Sequence, residues 1–149
     1  MPRNRPRALR VTPERPPRSL RRIRGLSGRT ASAIAQWEAT TGLLGTSPGM
    51  TTLAWESYRA FTSRSGTTVR YPRPETCGAP TCALDDVRHA RDLLEQALVR
   101  LPRPAGAELR RLLAPLDDAY LRITLPDPFA RHGPYRNRAW WWHRLTQPY

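Results

Sequence analysis

Apolar residues recur at three- and four-residue steps in two neighbouring stretches between Thr81 and Leu125. This spacing places them on one face of an α-helix. The linker PRPAG separates the stretches, and neither could bury its apolar face alone. The sequence therefore predicts an antiparallel helical hairpin over residues 81–125. The apolar positions of its two arms are Val87, Ala90, Leu94, Ala97, Leu98 and Leu101, then Leu109, Leu112, Leu113, Leu116, Tyr120 and Ile123.

The remaining positions of the hairpin predict its outer face and its ends. Thr81 is the expected N-cap of the first arm. Pro115 lacks an N–H and would clash with the preceding turn, so the second arm should kink or restart there, with Asp117 and Asp118 in a new first turn. The charged side chains of the first arm are expected to face water, and they are Arg88, Arg91, Asp92, Glu95 and Arg100.

Two shorter amphipathic helices are predicted before the hairpin. The first spans about residues 29–41, with Ser27 or Thr30 as its cap and Gly42 as its stop. Its apolar positions are Ala33, Ile34 and Trp37.

The second helix should begin at a cap on Thr51 or Thr52 and end before Gly66. The segment TTVRY that follows is predicted to be extended coil, because no partner strand is evident. The inward-facing positions of this helix are Ala54, Trp55, Tyr58 and Phe61.

These elements predict an all-α fold. Residues 26–149 should form one small helical domain with an aromatic, basic C-terminus at residues 135–149. Residues 1–25 alternate Arg with Pro and contain few large apolar groups, so they are predicted to form a disordered basic arm.

The positive charge lies at the two ends of the chain. All 25 basic residues are Arg, and the formal net charge is +13. Residues 1–25 hold nine arginines against one glutamate, whereas residues 83–125 balance seven arginines with seven carboxylates. Basic ends on a neutral body are typical of proteins that bind polyanions. The arginines of the arm are Arg3, Arg5, Arg7, Arg10, Arg15, Arg18, Arg21, Arg22 and Arg24.

The C-terminal sequence YRNRAWWWHR interleaves cations with flat aromatic rings. Such a surface can pair with phosphate and stack on exposed bases. It can also serve as a hydrophobic lid on the hairpin, or lie on a membrane surface. Three consecutive tryptophans cannot all point inward, so at least one is expected to stay exposed. The predicted binding residues here are Arg136, Arg138, Trp140, Trp141, Trp142 and Arg144.

Two further groups have the spacing of reactive sites. Cys77 and Cys82 could supply half of a zinc site or form a disulfide, but we expect both thiols to be reduced, with no metal bound. Asp85 and His89 are one helical turn apart, and a surface ion pair explains them without catalysis.

The C-terminal half, LPRPAGAELRRLLAPLDDAYLRITLPDP with its Trp-rich end, resembles short arginine-rich proteins of high-GC bacteria whose functions are not known. The resemblance implies no activity and no binding residue.

The chain has no lysine, which excludes Walker, Schiff-base and kinase-type lysines. No apolar run is long enough for a signal peptide or a membrane span, so a cytoplasmic location is expected. We expect a non-enzymatic protein that binds the phosphate backbone of DNA or RNA without strong sequence specificity and without a cofactor. The alternative is a helical protein-interaction or regulatory module whose basic termini are incidental.

Overall fold

The computed structural model describes residues 22–42, 47–63, 68–78 and 82–148. Within them the chain forms four α-helices and no β-strand. The helices are α1 (Gly28–Thr40), α2 (Met50–Thr62), α3 (Val87–Arg100) and α4 (Arg103–Ile123), with short 3-10 helices at Cys82–Asp85 and Trp140–Trp142. The described part has no helix that is long and apolar enough to cross a membrane.

Helix α3 is the centre of the packing. It contacts α1, α2, α4 and both 3-10 helices, and its contact with α2 is the most extensive. All six apolar positions predicted for α3 are buried, from Val87 to Leu101. In α4, Leu109, Leu113, Tyr120 and Ile123 are buried, while Leu112 and Leu116 are partly buried against the core. The predicted apolar faces are therefore confirmed.

Helix α4 approaches α3 closely near its first turn. A Cβ atom added to Gly106 would lie 3.2 Å from the backbone oxygen of Leu98. Further along, the side chain of Arg91 in α3 bonds to Asp117 in α4. Helix α4 runs without a break through Pro115. The predicted restart at Pro115 is therefore wrong, and Asp117 lies inside the helix rather than in a new first turn.

Helix α1 begins as its sequence indicates. Ser27 is the N-cap and accepts a hydrogen bond from the backbone N–H of Thr30. Its hydroxyl also donates to Glu108 of α4 at 3.0 Å. The cap therefore joins α1 to α4 as well as satisfying its own helix.

Helix α2 begins differently from the prediction. Its N-cap is Gly49, with a φ of 88° that favours glycine, and both predicted cap residues lie buried inside the first turn. Glu38 of α1 accepts the backbone N–H groups of Gly49 at 2.8 Å and Thr51 at 2.7 Å. A carboxylate of one helix thus satisfies the N-terminus of the next, where its charge is favourable.

Helix α3 begins at Val87 with Asp86 as its N-cap, so the prediction of a start near Thr81 is wrong. Thr81 itself lies outside the described residues, as does Gly66 after α2. The segment around Arg70 forms no strand, and the backbone N–H of Arg70 donates to the carbonyl of Ile123 at 2.6 Å.

The boundary of the basic arm also differs from the prediction. Ile23 is buried in the core, and Gly25 adopts a φ of 91° against the side chain of Leu112. Residues 22–25 thus belong to the folded domain because one apolar side chain anchors them. Residues 1–21 lie outside the described residues.

We expect Leu94→Ala or Leu113→Ala to lower the free energy of unfolding by about 2–5 kcal/mol, because each side chain is fully buried. Val99→Ala is the matched control, since Val99 is 71% exposed on α3. Urea unfolding followed by circular dichroism measures both. A loss for Leu94→Ala no larger than that of the control would contradict the assigned core.

Candidate nucleic-acid interface

The aromatic C-terminal segment is folded back against α3. Backbone bonds join Asp127 to His143 and Leu145 to Leu125, which brings the segment alongside the end of α4. The carboxylate of Asp92 in α3 then accepts three donors. They are Nε1 of Trp141 at 2.8 Å, Nε1 of Trp142 at 3.0 Å and Nη2 of Arg138 at 2.8 Å.

Arg88 of α3 is buried and was predicted to face water. Its guanidinium forms a bidentate pair with Asp86, Nε to Oδ1 at 2.9 Å and Nη2 to Oδ2 at 2.7 Å. The same group lies 4.4 Å from the ring centroid of Trp142 and 5.3 Å from that of Tyr135. Burial opposes the charge, but the hydrogen bonds and charge of Asp86 outweigh it and raise the pKa of Arg88. The outward prediction failed because these aromatic partners are remote in sequence.

Arg91 is the second buried arginine of α3, and its outward prediction was also wrong. Its guanidinium bonds to Asp117 of α4 and to Glu95 one turn further along α3. It also lies 4.4 Å from the ring centroid of Trp141. Burial again opposes the charge, and the two carboxylates together raise the pKa of Arg91. Arg91 therefore links α3, α4 and the C-terminal segment.

Two tyrosines complete this buried network. The hydroxyl of Tyr58 donates to Asp117 at 2.8 Å, and the hydroxyl of Tyr120 donates to the backbone oxygen of Trp141 at 2.9 Å. Burial raises the pKa of both phenols, and the charge of Asp117 adds to the effect at Tyr58. Both groups are hydrogen-bond donors that the fold keeps protonated.

Arg144 serves the C-terminus of α4. It donates to the side-chain oxygen of Thr124 at 2.8 Å and to the backbone oxygens of Leu121 and Thr124. These are carbonyls that the end of a helix leaves without an internal partner. Burial lowers the pKa of Arg144.

The predicted aromatic residues divide into two groups. Trp141 and Trp142 are buried, and their indole rings contact the arginines of α3. Trp140 is 37% exposed and packs edge-on against Trp141 and Tyr120. The prediction that one tryptophan stays exposed is confirmed. Of the three tryptophans, Trp140 is the one that the structure leaves exposed.

The predicted basic residues divide in a similar way. Arg138 bonds to Asp92 and stacks on Trp142, and Arg144 holds α4, so both already have partners. Arg22, Arg24 and Arg136 are exposed and form no ion pair with a carboxylate of the described chain. The first seven arginines of the arm, Arg3 to Arg21, lie outside the described residues.

Other exposed arginines of the folded body were not predicted as binding residues. The structure leaves them at the surface without an ion pair to any carboxylate it describes. They are Arg29, Arg59, Arg73, Arg100, Arg103, Arg110, Arg111, Arg122 and Arg131. The arginines among them on α4 could have been predicted from the sequence, because they lie on the helix face opposite its apolar positions.

Cys77 and Cys82 are joined by a disulfide, with Cα atoms 5.8 Å apart, so the expectation of two reduced thiols is wrong. This Cα–Cα distance lies within the usual range for such a bridge. His89 lies 3.8 Å from Asp92 and edge-on to Trp142, rather than paired with Asp85. Across the described ranges, no three His, Cys, Asp or Glu side chains form a group that could hold a metal ion.

Comparison with protein families, with curated proteins and with solved structures finds no match to this chain.

Arg88→Met should lower the free energy of unfolding by about 3–5 kcal/mol, because it leaves Asp86 buried without its cation. The double variant with Asp86→Ser should recover part of this loss, since serine can still cap α3. Arg100→Met on the exposed face is the matched control. Urea unfolding of the four proteins tests the pair, and equal stability of the single and double variants would contradict the coupling.

The buried phenols predict a loss of stability at alkaline pH. Because their pKa values are raised on folding, the stabilisation is fully present below about pH 10, the value of an unfolded tyrosine. Above it the free energy of unfolding should fall by about 1.4 kcal/mol per pH unit for each phenol. Tyr58→Phe should make this fall shallower. Unfolding curves from pH 8 to 11.5 measure it, and an unchanged slope in the variant would refute the assignment.

Proposed function

We propose that this chain binds nucleic acid through the phosphate backbone, without strong sequence specificity and without catalysing a reaction. The observation that carries the proposal is positive charge left unpaired at the surface. The described residues hold 17 arginines and 11 carboxylates. Their ion pairs with carboxylates use Arg88, Arg91 and Arg138. Most of the other arginines face water, where phosphates can reach them.

The origin of the basic arm supports the same proposal. Ile23 is anchored in the core and Gly25 lies against Leu112 of α4. Arg110 and Arg111, which precede Leu112 in α4, are exposed. Arg22 and Arg24, which flank Ile23 in this anchored segment, therefore lie next to a surface of α4 that also carries cations. The basic arm and this surface of α4 can together contact successive phosphates of one polyanion.

Weak sequence specificity follows from the chemistry of these contacts. Arginine bonds to phosphate position a protein on nucleic acid but do not read the bases. The outer face of α4 mixes its arginines with Asp118 and the exposed Leu121, which does not match the side chains that a groove-reading helix needs.

Two structural inferences belong to this proposal. We infer that α3 and α4 run antiparallel as a hairpin, supported by the contact of Leu98 with Gly106 and by the bond of Arg91 with Asp117. We also infer a cytoplasmic location, where nucleic acid is available. In the cytoplasm, which keeps thiols reduced, the disulfide between Cys77 and Cys82 would be subject to reduction.

A protein-interaction module is the second candidate. A groove of about 790 Å³ runs beside α3 and is bordered by Met50, Leu93 and Trp141. Val99, which also lines the groove, is 71% exposed, and a helical partner in the groove would cover it.

Deleting residues 2–21 should weaken binding to duplex DNA and flatten its salt dependence. Each phosphate contact contributes about 0.9 to the slope of log affinity against log salt, so losing seven arginines should lower the slope by up to about 6. Residues 22–25 stay because Ile23 belongs to the core. Fluorescence anisotropy at several salt concentrations measures the slope.

The matched variant is Trp140→Ala, which should reduce affinity for single strands more than for duplex and leave the salt slope nearly unchanged. If the full chain binds neither substrate even at low salt, the nucleic-acid proposal fails. The protein-interaction module then becomes the better account.

A further inference from the structure

A cleft of about 750 Å³ opens between the end of α2, residues 68–73, the start of α3 and the C-terminal residues 146–148. This volume is in the range of sites that bind small molecules. None of its lining residues belongs to Trp140–Trp142 or to residues 22–25. Its walls include Phe61, Arg70, Tyr71, Arg73 and Asp85.

One wall of the cleft is fixed in place by Arg70. Its backbone N–H donates to Ile123 at the end of α4, and its Nη1 donates to the backbone oxygen of Phe61 at 2.9 Å. The guanidinium lies 5.6 Å from the ring centroid of Phe61. These contacts hold residues 68–73 against both α2 and α4. The cleft is therefore built by the fold rather than by a loose loop.

Three side chains that line the cleft have no charged or aromatic partner among the described residues. The half-buried ring of Tyr71 makes no ring–ring or cation–π contact with another described residue. Arg73 and Asp85 are exposed, and neither forms an ion pair within the described chain. The cleft thus offers an aromatic face, a cation and a hydrogen-bond acceptor in one place.

We propose that this cleft binds one unpaired nucleotide of a single strand. The base stacks on Tyr71, a flanking phosphate pairs with Arg73, and the exocyclic amino group of the base donates to Asp85. This inference rests on the proposed nucleic-acid function and gives it a specific site. It assigns base stacking to Tyr71, which is half-buried and lines the cleft, because Trp141 and Trp142 are buried.

Asp85 gives the site a preference among bases. A carboxylate accepts from the N4 amino group of cytosine, whereas thymine presents a carbonyl oxygen at that position. Single strands of cytosine should therefore bind more tightly than single strands of thymine. A surface that attracts phosphate alone would not distinguish the two.

The groove beside α3 is less suited to this ligand. It is lined by the carboxylates of Asp92 and Glu95 and by Arg100 and Arg138, and Arg138 is already paired with Asp92. Its two carboxylates offset the charge of its two arginines. The cleft beside Tyr71 contains one carboxylate and two arginines.

The test is fluorescence anisotropy on the full chain at one salt concentration. The ligands are three oligonucleotides of ten nucleotides: a single strand of dC, a single strand of dT and a duplex. Tyr71→Leu should weaken dC binding about fivefold or more and duplex binding less than twofold. Arg73→Gln should weaken single strands more than Arg29→Gln, an exposed arginine of α1 outside the cleft. Circular dichroism checks that each variant keeps the wild-type fold.

Asp85→Asn separates base recognition from charge. Removing a negative charge should strengthen binding to both single strands, but the preference for dC over dT should disappear. Asp118→Asn, an exposed carboxylate of α4, is the matched control and should keep the preference. A preference that survives Asp85→Asn, or that is absent in the wild type, overturns the role of Asp85 and with it this proposal.

Photocrosslinking provides a measurement that needs no variant. An oligonucleotide carrying 5-iododeoxycytidine should crosslink to Tyr71 when its base lies on that ring, and mass spectrometry identifies the residue. Crosslinks to Trp140 alone, with the cleft variants behaving like their controls, would overturn the cleft and leave the proposed function standing. Failure of the wild-type chain to bind any oligonucleotide would overturn both.

Discussion

The guanidinium groups of Arg88 and Arg91 are buried against indole rings, and the position of the C-terminal segment depends on them. A buried cation is tolerated when carboxylates neutralise it and hydrogen bonds satisfy most of its donors. Nη1 of Arg88 is the donor atom of these two groups that has no hydrogen-bond partner in the described residues. Asp86 and Asp117 supply the charge, while Trp141 and Trp142 supply apolar and π contact. Contacts with the arginines of α3 therefore fix the C-terminal segment more than its own helical propensity does, since its described helical structure is one 3-10 turn.

Arginine is suited to this double role in a way that lysine is not. Its guanidinium stays charged when buried, is planar, and can stack on an aromatic ring while bonding to a carboxylate in its plane. Arg88 does this with Trp142 and Asp86, and Arg138 does it at the surface with Trp142 and Asp92. A lysine at position 88 would lose the bidentate pair and the stacking together.

The helical faces could be predicted from the sequence because their spacing is local. Every apolar position predicted for α3 is buried, as are Ala54, Trp55 and Tyr58 of α2. The exposure of one tryptophan also followed from local geometry, since three consecutive rings cannot share one side.

Two of the errors involve partners that are distant in sequence. The side chain that accepts hydrogen bonds from the N-terminus of α2 belongs to Glu38, eleven residues before Gly49. The local preference of Thr51 or Thr52 for a cap position does not predict this contact. The burial of Arg88 depends on Trp142, which lies 54 residues further along the chain. A helical wheel places a charged residue on the outside by default, and only the tertiary fold shows that aromatic rings cover it.

The buried pairs also change what the sequence charge means. Residues 83–125 are neutral when counted along the chain, with seven arginines and seven carboxylates. Arg88 and Arg91, however, are buried and pair with Asp86, Glu95 and Asp117, and Asp92 bonds to Arg138 and two indoles.

Five arginines and three carboxylates of the segment are then left without an ion pair in the described residues. The unpaired side chains of a segment that is neutral by sequence are therefore mainly cationic, because its ion pairs use four of its carboxylates and two of its arginines. Arg111, one of these cations, precedes Leu112, against whose side chain Gly25 lies. The charge that the folded body presents to an anionic partner therefore depends on its tertiary ion pairs as well as on its sequence.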